Sequence, residues 1–226
     1  MKQARFDNIY TMRTKKGLRL FTKSLYPSFR GFEETVIRKQ GTAYREVDPE
    51  RSKLFAGVAK GASQIGVREG SSVLYLGASH GYTPSFVSDV IGKQGKVVCV
   101  DIAPRVVRDL VFLCEQRQNM APVMADCNKP EAYEHLVPEE VDVVFQDIAQ
   151  RDQAGIFLKN CRKFLKKNGF GLLALKARSV DVTKKPQQVF KETFNELEKA
   201  DGFAVVDKRE LAPYEKDHML FVVKRR

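Results

Sequence analysis

The sequence predicts an α/β fold: a mostly parallel sheet flanked by helices, preceded by a small β lobe. Three observations carry this. From residue 51 onward, short apolar runs alternate with amphipathic helical stretches. One run, Val73-Leu74-Tyr75-Leu76, leads into a turn of small residues and then a helix start. That order is the opening unit of a nucleotide-binding sheet. Residues 1–50 read differently, as short strands broken by turn signals.

In the lobe, 9–12, 18–21, 34–37 and 42–46 are predicted strands, punctuated by Lys16-Gly17, Pro27, Gly31 and Gly41. β units of this size form an appended lobe rather than a self-sufficient domain. It carries no obvious catalytic groups, so partner docking or packing is its expected use. Its removal is expected to leave ligand binding largely intact.

Asp48 to Lys53 leads into a helix with Leu54, Phe55, Val58 and Ala59 on its apolar face. Lys53 falls in the first turn, where a cation gains nothing from the helix dipole. After Leu76 comes Gly77-Ala78-Ser79-His80-Gly81. Thr83 is then a possible N-cap and Pro84 suits the first helical position. Lys96-Val97-Val98-Cys99-Val100 is the next strand and ends at Asp101. A helix over 105–118 should bury Val106, Leu110, Leu113 and Cys114. A third strand, 121–124, ends at Asp126-Cys127, and a fourth, 141–145, ends at Gln146-Asp147-Ile148-Ala149-Gln150. The helix over 152–167 should stop at Asn168-Gly169, followed by a strand over 170–176 that closes on Lys176. A helix over 186–200 and strands from 203 and 218 complete the chain. The last connection is too short for a helical crossover, so the seventh strand should run antiparallel. His218, its first residue, then reaches the same sheet edge as Asp147 and Lys176.

The 226 residues suffice for one α/β domain, 51–226, and the lobe, 1–50. Hydrophobic content of 43% and charged content of 30% indicate a globular chain. No apolar run approaches a membrane span, and Met1-Lys2-Gln3-Ala4-Arg5-Phe6-Asp7 has no signal-peptide core. Cys99, Cys114, Cys127 and Cys161 are scattered without a C-x-x-C. This fits reduced thiols and a cytoplasmic protein, with no metal site. The net charge of +11 is uneven, because residues 101–150 are net acidic and the rest basic. The basic segments suit a polyanion such as RNA.

Ligand chemistry is read from the turn at 77–81. Its G-x-x-x-G spacing is not the dinucleotide fingerprint, and no Gly-Lys-Ser/Thr follows to make a P-loop. The spacing is typical of S-adenosylmethionine (SAM) methyltransferases. Asp101 lies 24 positions after Gly77, where an acid can accept both hydroxyls of an adenosine ribose. Asp126, at the next strand end, suits an adenine amino group.

Six motifs then agree in order and spacing from about residue 40 to the end. They are Arg51-Ser52-Lys53-Leu54, Leu74-Tyr75-Leu76-Gly77-Ala78, Val87-Ser88-Asp89, Asp147-Ile148-Ala149-Gln150, Leu175-Lys176-Ala177 and Pro213-Tyr214-Glu215-Lys216-Asp217-His218. Together they resemble fibrillarin, a family of SAM-dependent RNA 2′-O-methyltransferases with a Lys-Asp-Lys-His set. The resemblance implies a Rossmann-like methyltransferase sheet and places that set at Lys53, Asp147, Lys176 and His218. It implies SAM contacts at Tyr82-Thr83, Asp101-Ile102, Asp126-Cys127 and Asp147, Ile148, Ala149 and Gln150. The Gly/Arg-rich tail of nucleolar members is lacking, so the chain resembles the archaeal form acting on rRNA or tRNA. The implied partners are a C/D-box guide RNA, target rRNA, a Nop-domain scaffold protein and a kink-turn-binding ribosomal-type protein. Ser79, His80 and Tyr82 stand where Ala, Ser and Thr are usual, and Asp101-Ile102-Ala103 replaces Glu, an aromatic and Ser. His80 is expected to form a wall of the cofactor turn.

The expected base is Lys176, ending a rigid strand beside Asp147, which would orient its amine. Proximity of Lys53 to Lys176 is expected to lower one lysine pKa. Lys53 and His218 would position ribose and phosphate. A SAM enzyme acting on protein and a non-catalytic RNA-binding subunit are the alternatives. The first has no need for both lysines, and the second would tolerate loss of Asp147 or Lys176.

Overall fold

The computed structural model describes every residue except Lys16 and Arg30. The expected turn at Lys16-Gly17 therefore lies partly outside the described residues.

A five-stranded antiparallel sheet comes first. It is built from β1 (Lys2–Gln3), β2 (Ile9–Thr14), β3 (Gly17–Lys23), β4 (Val36–Lys39) and β5 (Thr42–Val47), in the order β1-β2-β3-β5-β4. The four strands expected in this region are present within two or three residues of their ends. β1 is additional; its two residues are both exposed, so no apolar pattern marks it.

The second sheet has seven strands in the order β11-β12-β10-β9-β6-β7-β8. They are β6 (Ser72–Leu76), β7 (Lys96–Asp101), β8 (Met120–Met124), β9 (Val141–Gln146), β10 (Leu165–Lys176), β11 (Phe203–Glu210) and β12 (His218–Arg225). β6 to β10 pair in parallel, and β12 runs antiparallel to both β10 and β11. The helices are α1 (Lys53–Ala59), α2 (Tyr82–Ile91), α3 (Pro104–Glu115), α4 (Gln153–Phe164), α5 (Ala177–Val180) and α6 (Pro186–Lys199). None is long and apolar enough to cross a membrane among the described residues.

The elements differ from expectation in three places that bear on the packing. α2 starts at Tyr82, and its N-cap is Gly81 in the left-handed region at φ 84° rather than Thr83. The Thr83 hydroxyl instead donates to Ser52 Oγ at 3.0 Å. In α3 it is Val107, not Val106, that is buried with Leu110, Leu113 and Cys114. α4 ends at Phe164, and Leu165 already pairs with Val141 as the first residue of β10. Asn168, at φ 63°, and Gly169 lie inside a register shift between Leu165 and Phe170. The Asn-Gly signal therefore marks an irregularity inside the strand and not a helix stop, because Leu165 gains backbone partners and full burial by joining the sheet.

The lobe shares one core with the larger sheet. Ile9, Leu20, Phe29 and Val47 belong to the same apolar cluster as Phe55, Phe86 and Val90. At its centre lies a buried charge cluster. Asp89 on α2 accepts from Thr22 Oγ1 at 2.9 Å, Leu25 N at 3.0 Å, Arg45 Nη1 at 2.7 Å and Arg117 Nη2 at 2.5 Å. Arg45 also bonds Glu34 at 2.6 Å and the Ser85 hydroxyl at 3.1 Å. Three of those four donors to Asp89 come from the lobe or the chain just after β3. Removing the lobe would leave the Asp89 carboxylate with Arg117 alone of these donors, so its loss is not neutral for the rest of the fold.

Candidate active site

β6, β7 and β9 are parallel, so their carboxyl ends open on one cleft of about 340 Å³. That is within the usual range of small-molecule pockets, about 300–1,000 Å³. Gly77 makes the cleft possible. It sits at φ 80°, and a Cβ there would lie 2.1 Å from the Asp147 carbonyl oxygen. Only a residue without a side chain lets the two strand ends approach this closely. The Gly77 and Ala78 amides donate to Val100 O, and the Asp147 amide donates to Leu76 O at 2.9 Å.

Asp101 is fixed before any ligand arrives. Its carboxylate accepts from Ser79 N at 2.8 Å and Ala103 N at 3.0 Å. Each oxygen keeps a lone pair for a further donor. Ile102 is 57% exposed on the wall of this cleft, an apolar surface left open. Cys127 also lines it, and burial pushes its thiol up to about 12, so it is a neutral wall. Ile148, Ala149 and Gln150 line the opposite side with Asp147.

Three expected cofactor residues are placed elsewhere. Asp126 is not among the residues lining this cleft; its side chain accepts from Asn128 N at 2.9 Å in a local turn. Tyr82 and Thr83 line an adjoining cavity of about 400 Å³, which shares Gly77, Ser79 and Asp147 with the first. The Tyr82 hydroxyl accepts from Asp48 N at 3.1 Å, and its ring lies 4.1 Å beneath the Arg51 guanidinium. His80 is a wall of this second cavity, with Nδ1 3.1 Å from Asp109.

The four polar side chains expected at the sheet edge come from four different elements. Ser52 caps α1 and accepts from Phe55 N, which puts Lys53 at the first helical position. Lys53 Nζ lies 3.2 Å from Asp147 and 3.5 Å from Glu215. Burial acts against the Lys53 charge, but the two carboxylates outweigh it and hold its pKa above the ordinary lysine value. Burial pushes the Asp147 carboxyl up, and Lys53 offsets this only in part. His218 is buried, and burial holds its pKa below the ordinary histidine value against the Lys216 carbonyl and Glu215. Its Nδ1 lies 2.7 Å from that carbonyl, which can only accept, so Nδ1 carries the hydrogen. Its Nε2 is buried without a partner among the described residues.

Lys176 ends β10 directly opposite His218 in the antiparallel register. Its backbone is clamped at both groups by Gln153: the Lys176 amide donates to Oε1 and the Lys176 carbonyl accepts from Nε2, each at 3.1 Å. Its side chain is exposed. The expected pairing of Asp147 with Lys176 is corrected here, since Asp147 is paired with Lys53. The helix start drops Lys53 onto the end of β9, and Glu215 adds a second anion. The expected lowering by a neighbouring lysine is accordingly reversed at Lys53, whose pKa is raised. Glu215 and Gln153 were not anticipated as site residues. Glu215 lies inside the Tyr-Glu-Lys-Asp-His motif, three positions before His218, where only the loop's fold brings it to Lys53.

The fibrillarin family model matches residues 1–226. The chain belongs to the fibrillarin family. A relative from Pyrococcus horikoshii, named fibrillarin-like rRNA/tRNA 2′-O-methyltransferase, is 45% identical over 226 residues, covering 100% of this chain and 98% of the relative. The crystal structure of Aeropyrum pernix fibrillarin with natively bound SAM superposes with a TM-score of 0.89 at 39% identity, over 98% of this chain and 96% of that one. A fibrillarin/Nop5p complex superposes with a TM-score of 0.86 at 35% identity, over the whole of both chains. The fold is thus that of fibrillarin, including the small antiparallel sheet at the start.

Proposed function

We propose that this fibrillarin transfers a methyl group from SAM to the 2′-hydroxyl of a ribose in rRNA or tRNA. It does so as the catalytic subunit of a C/D-box guide ribonucleoprotein. One observation carries the reading. The Lys53–Asp147 ion pair and the Lys176–His218 cross-strand pair meet the carboxyl edge of the sheet beside the cleft. The full-length likeness to proteins named as 2′-O-methyltransferases supports it, as does the likeness to a SAM-bound fibrillarin.

The residues lining the cleft fit SAM. Asp101, held by two amides, has acceptor capacity left for ribose hydroxyls. Ile102 offers an exposed apolar face to adenine, and the glycine at 77 leaves room for close backbone approach. When bound, SAM supplies a methyl group made electrophilic by its sulfonium. The chain's own task is to align the ribose oxygen and remove its proton. Lys176 is the residue we assign as base, since its exposed amine projects from a backbone clamped at both groups by Gln153. Lys53, held cationic by Asp147 and Glu215, supplies positive charge for the ribose and adjacent phosphate. Neutral His218 keeps its ring fixed through Nδ1 and completes the edge opposite Lys176.

The division into a lobe, 1–50, and a catalytic domain, 51–226, is part of the same proposal. So is docking of the lobe and its adjoining face on a Nop-domain scaffold, supported by the likeness to the fibrillarin/Nop5p complex. Guide RNA, target RNA and a kink-turn-binding protein complete the particle, in keeping with the net charge of +11. Four free, buried cysteines suit a reducing cytoplasm. The test is a tritiated-SAM assay on the assembled guide particle, with the methylated position mapped. Label on a guide-selected ribose is the expected result; label on protein would overturn the reading.

A further inference from the structure

Lys53 and His218 share a neighbour that the four-residue set leaves out. Glu215 Oε1 lies 3.5 Å from Lys53 Nζ, and its other oxygen lies 3.8 Å from His218 Nδ1. The Glu215 side chain is 18% exposed, so water screens it only partly. Its backbone is fixed: its amide donates to Leu211 O at 3.2 Å, and the Leu211 amide donates to His218 O at 3.0 Å. The far end of this loop is tied to β10, because the Ala177 amide donates to Asp217 O at 3.0 Å. One carboxylate is therefore held rigidly between a cation from α1 and an imidazole from β12.

We propose that Glu215 is a positioning residue for methyl transfer, holding the Lys53 ammonium at Asp147 and lying against the His218 ring. The proposal rests on the methyltransferase reading above. Without Glu215, Lys53 keeps one anionic partner and can swing away from the edge. The charged groups facing His218 are Glu215, Lys53 and Asp147, with Lys176 opposite in the sheet. Protonating His218 puts a hydrogen on Nε2, which has no acceptor among the described residues. Neutral His218 is thus the working form, and activity falls as it protonates. Removing the negative charge of Glu215 makes that protonation harder, so the acid limb of the rate profile must move to lower pH.

The experiment uses the full chain in the guide particle with SAM and a matched RNA. Glu215→Gln keeps the shape and removes the charge. The expected result is a kcat about tenfold lower, an unchanged KM for RNA and an acid limb displaced to lower pH. Glu215→Asp keeps the charge and should leave the limb near its original position while lowering kcat less. Proton NMR of the free full-length chain gives a readout independent of turnover. The His218 Cε1 proton should titrate at lower pH in Glu215→Gln, assigned by its loss in His218→Gln against His80 and His135. A normal kcat in Glu215→Gln, or a lowered kcat with the limb and the His218 titration unmoved, would overturn the proposal. Lys176→Ala and Asp147→Ala run alongside. If they methylate normally, the parent reading falls; if they fail while Glu215→Gln matches the unsubstituted protein, only this inference does.

Discussion

At the scale of single residues, charge state decides the roles. Lys53 is held cationic by two carboxylates, which suits the fixed charge we propose for it and not a proton acceptor. The proposal that Lys176 is the base makes a sharp distinction between lysine and arginine. Lys176→Arg keeps length and charge but cannot give up a proton at accessible pH. Turnover should fall by on the order of 10²–10⁴-fold, measured with the assembled particle. Near-normal methylation would leave alignment as the sole catalytic effect. Asp101→Ala removes a charged acceptor, and calorimetry should show SAM binding weaker by about 1.5–3 kcal/mol. Unchanged affinity would remove Asp101 from the ribose site. Asp101, Asp147, Lys176 and His218 were legible as candidates because each stands at or next to a strand end. The sequence did not reveal which carboxylate serves which lysine. That depends on the direction in which α1 enters, and nothing in Arg51-Ser52-Lys53-Leu54 encodes it locally. Glu215 stayed hidden for the same reason, since it reaches the site from an irregular loop.

At the scale of elements, strand ends and helix starts place the chemistry. The parallel strands β6, β7 and β9 were legible as apolar runs, and the reversal of β12 followed from a short connection. The register of Lys176 against His218 then came out as the topology requires. Boundaries were read less well where two signals compete. Asn168-Gly169 reads as a helix stop on sequence alone, and only pairing of Leu165 with β9 shows that it interrupts a strand. Thr83 has a cap-forming side chain, but Gly81 takes the cap position and frees the hydroxyl for Ser52. Gly77 gives the element scale its test. Gly77→Ala would force a methyl group to 2.1 Å from Asp147 O and strain a residue at φ 80°. We expect the ends of β6 and β9 to separate, with SAM affinity at least tenfold lower and a lower melting temperature. Calorimetry and thermal unfolding check this; wild-type values in both would mean that the close approach is not needed.

At the scale of the whole molecule, the lobe and the catalytic sheet are joined by buried charge. Asp89, Arg45 and Arg117 have no exposed side-chain area, so each depends on the others for solvation. Asp89→Asn leaves two guanidinium groups short of a counter-charge and should cost about 3–5 kcal/mol in urea unfolding. A loss below 1 kcal/mol would show that water or rearrangement replaces the carboxylate. Acid should act on the same cluster. Burial raises the Glu34 pKa, but Arg45 and the local hydrogen bonds outweigh it and hold it below the ordinary value. Its stabilising contribution is therefore complete above the unfolded value of about 4.3 and is lost as pH falls through the lower folded one. Glu34→Gln should flatten the fall in melting temperature below about pH 4.3. An identical pH profile in the variant would assign the acid loss to other groups. The two-part architecture was legible, because turn-rich β sequence gives way to βα alternation near residue 50. The seam was not, since Val87-Ser88-Asp89 reads as ordinary helix and only the folded chain shows what Asp89 holds.

That seam limits how the two halves can be recombined. A chimera carrying the first sheet of one family member and the catalytic sheet of another inherits Arg45 from one parent and Asp89 with Arg117 from the other. Where both parents keep these three residues, and the lobe keeps Glu34 beside Arg45, the hybrid closes on a centre whose charges balance. Where either has changed one, a formal charge is orphaned, however well the apolar surfaces match. The three positions should therefore drift together or not at all, and engineering of the lobe has to treat them as a single inherited unit.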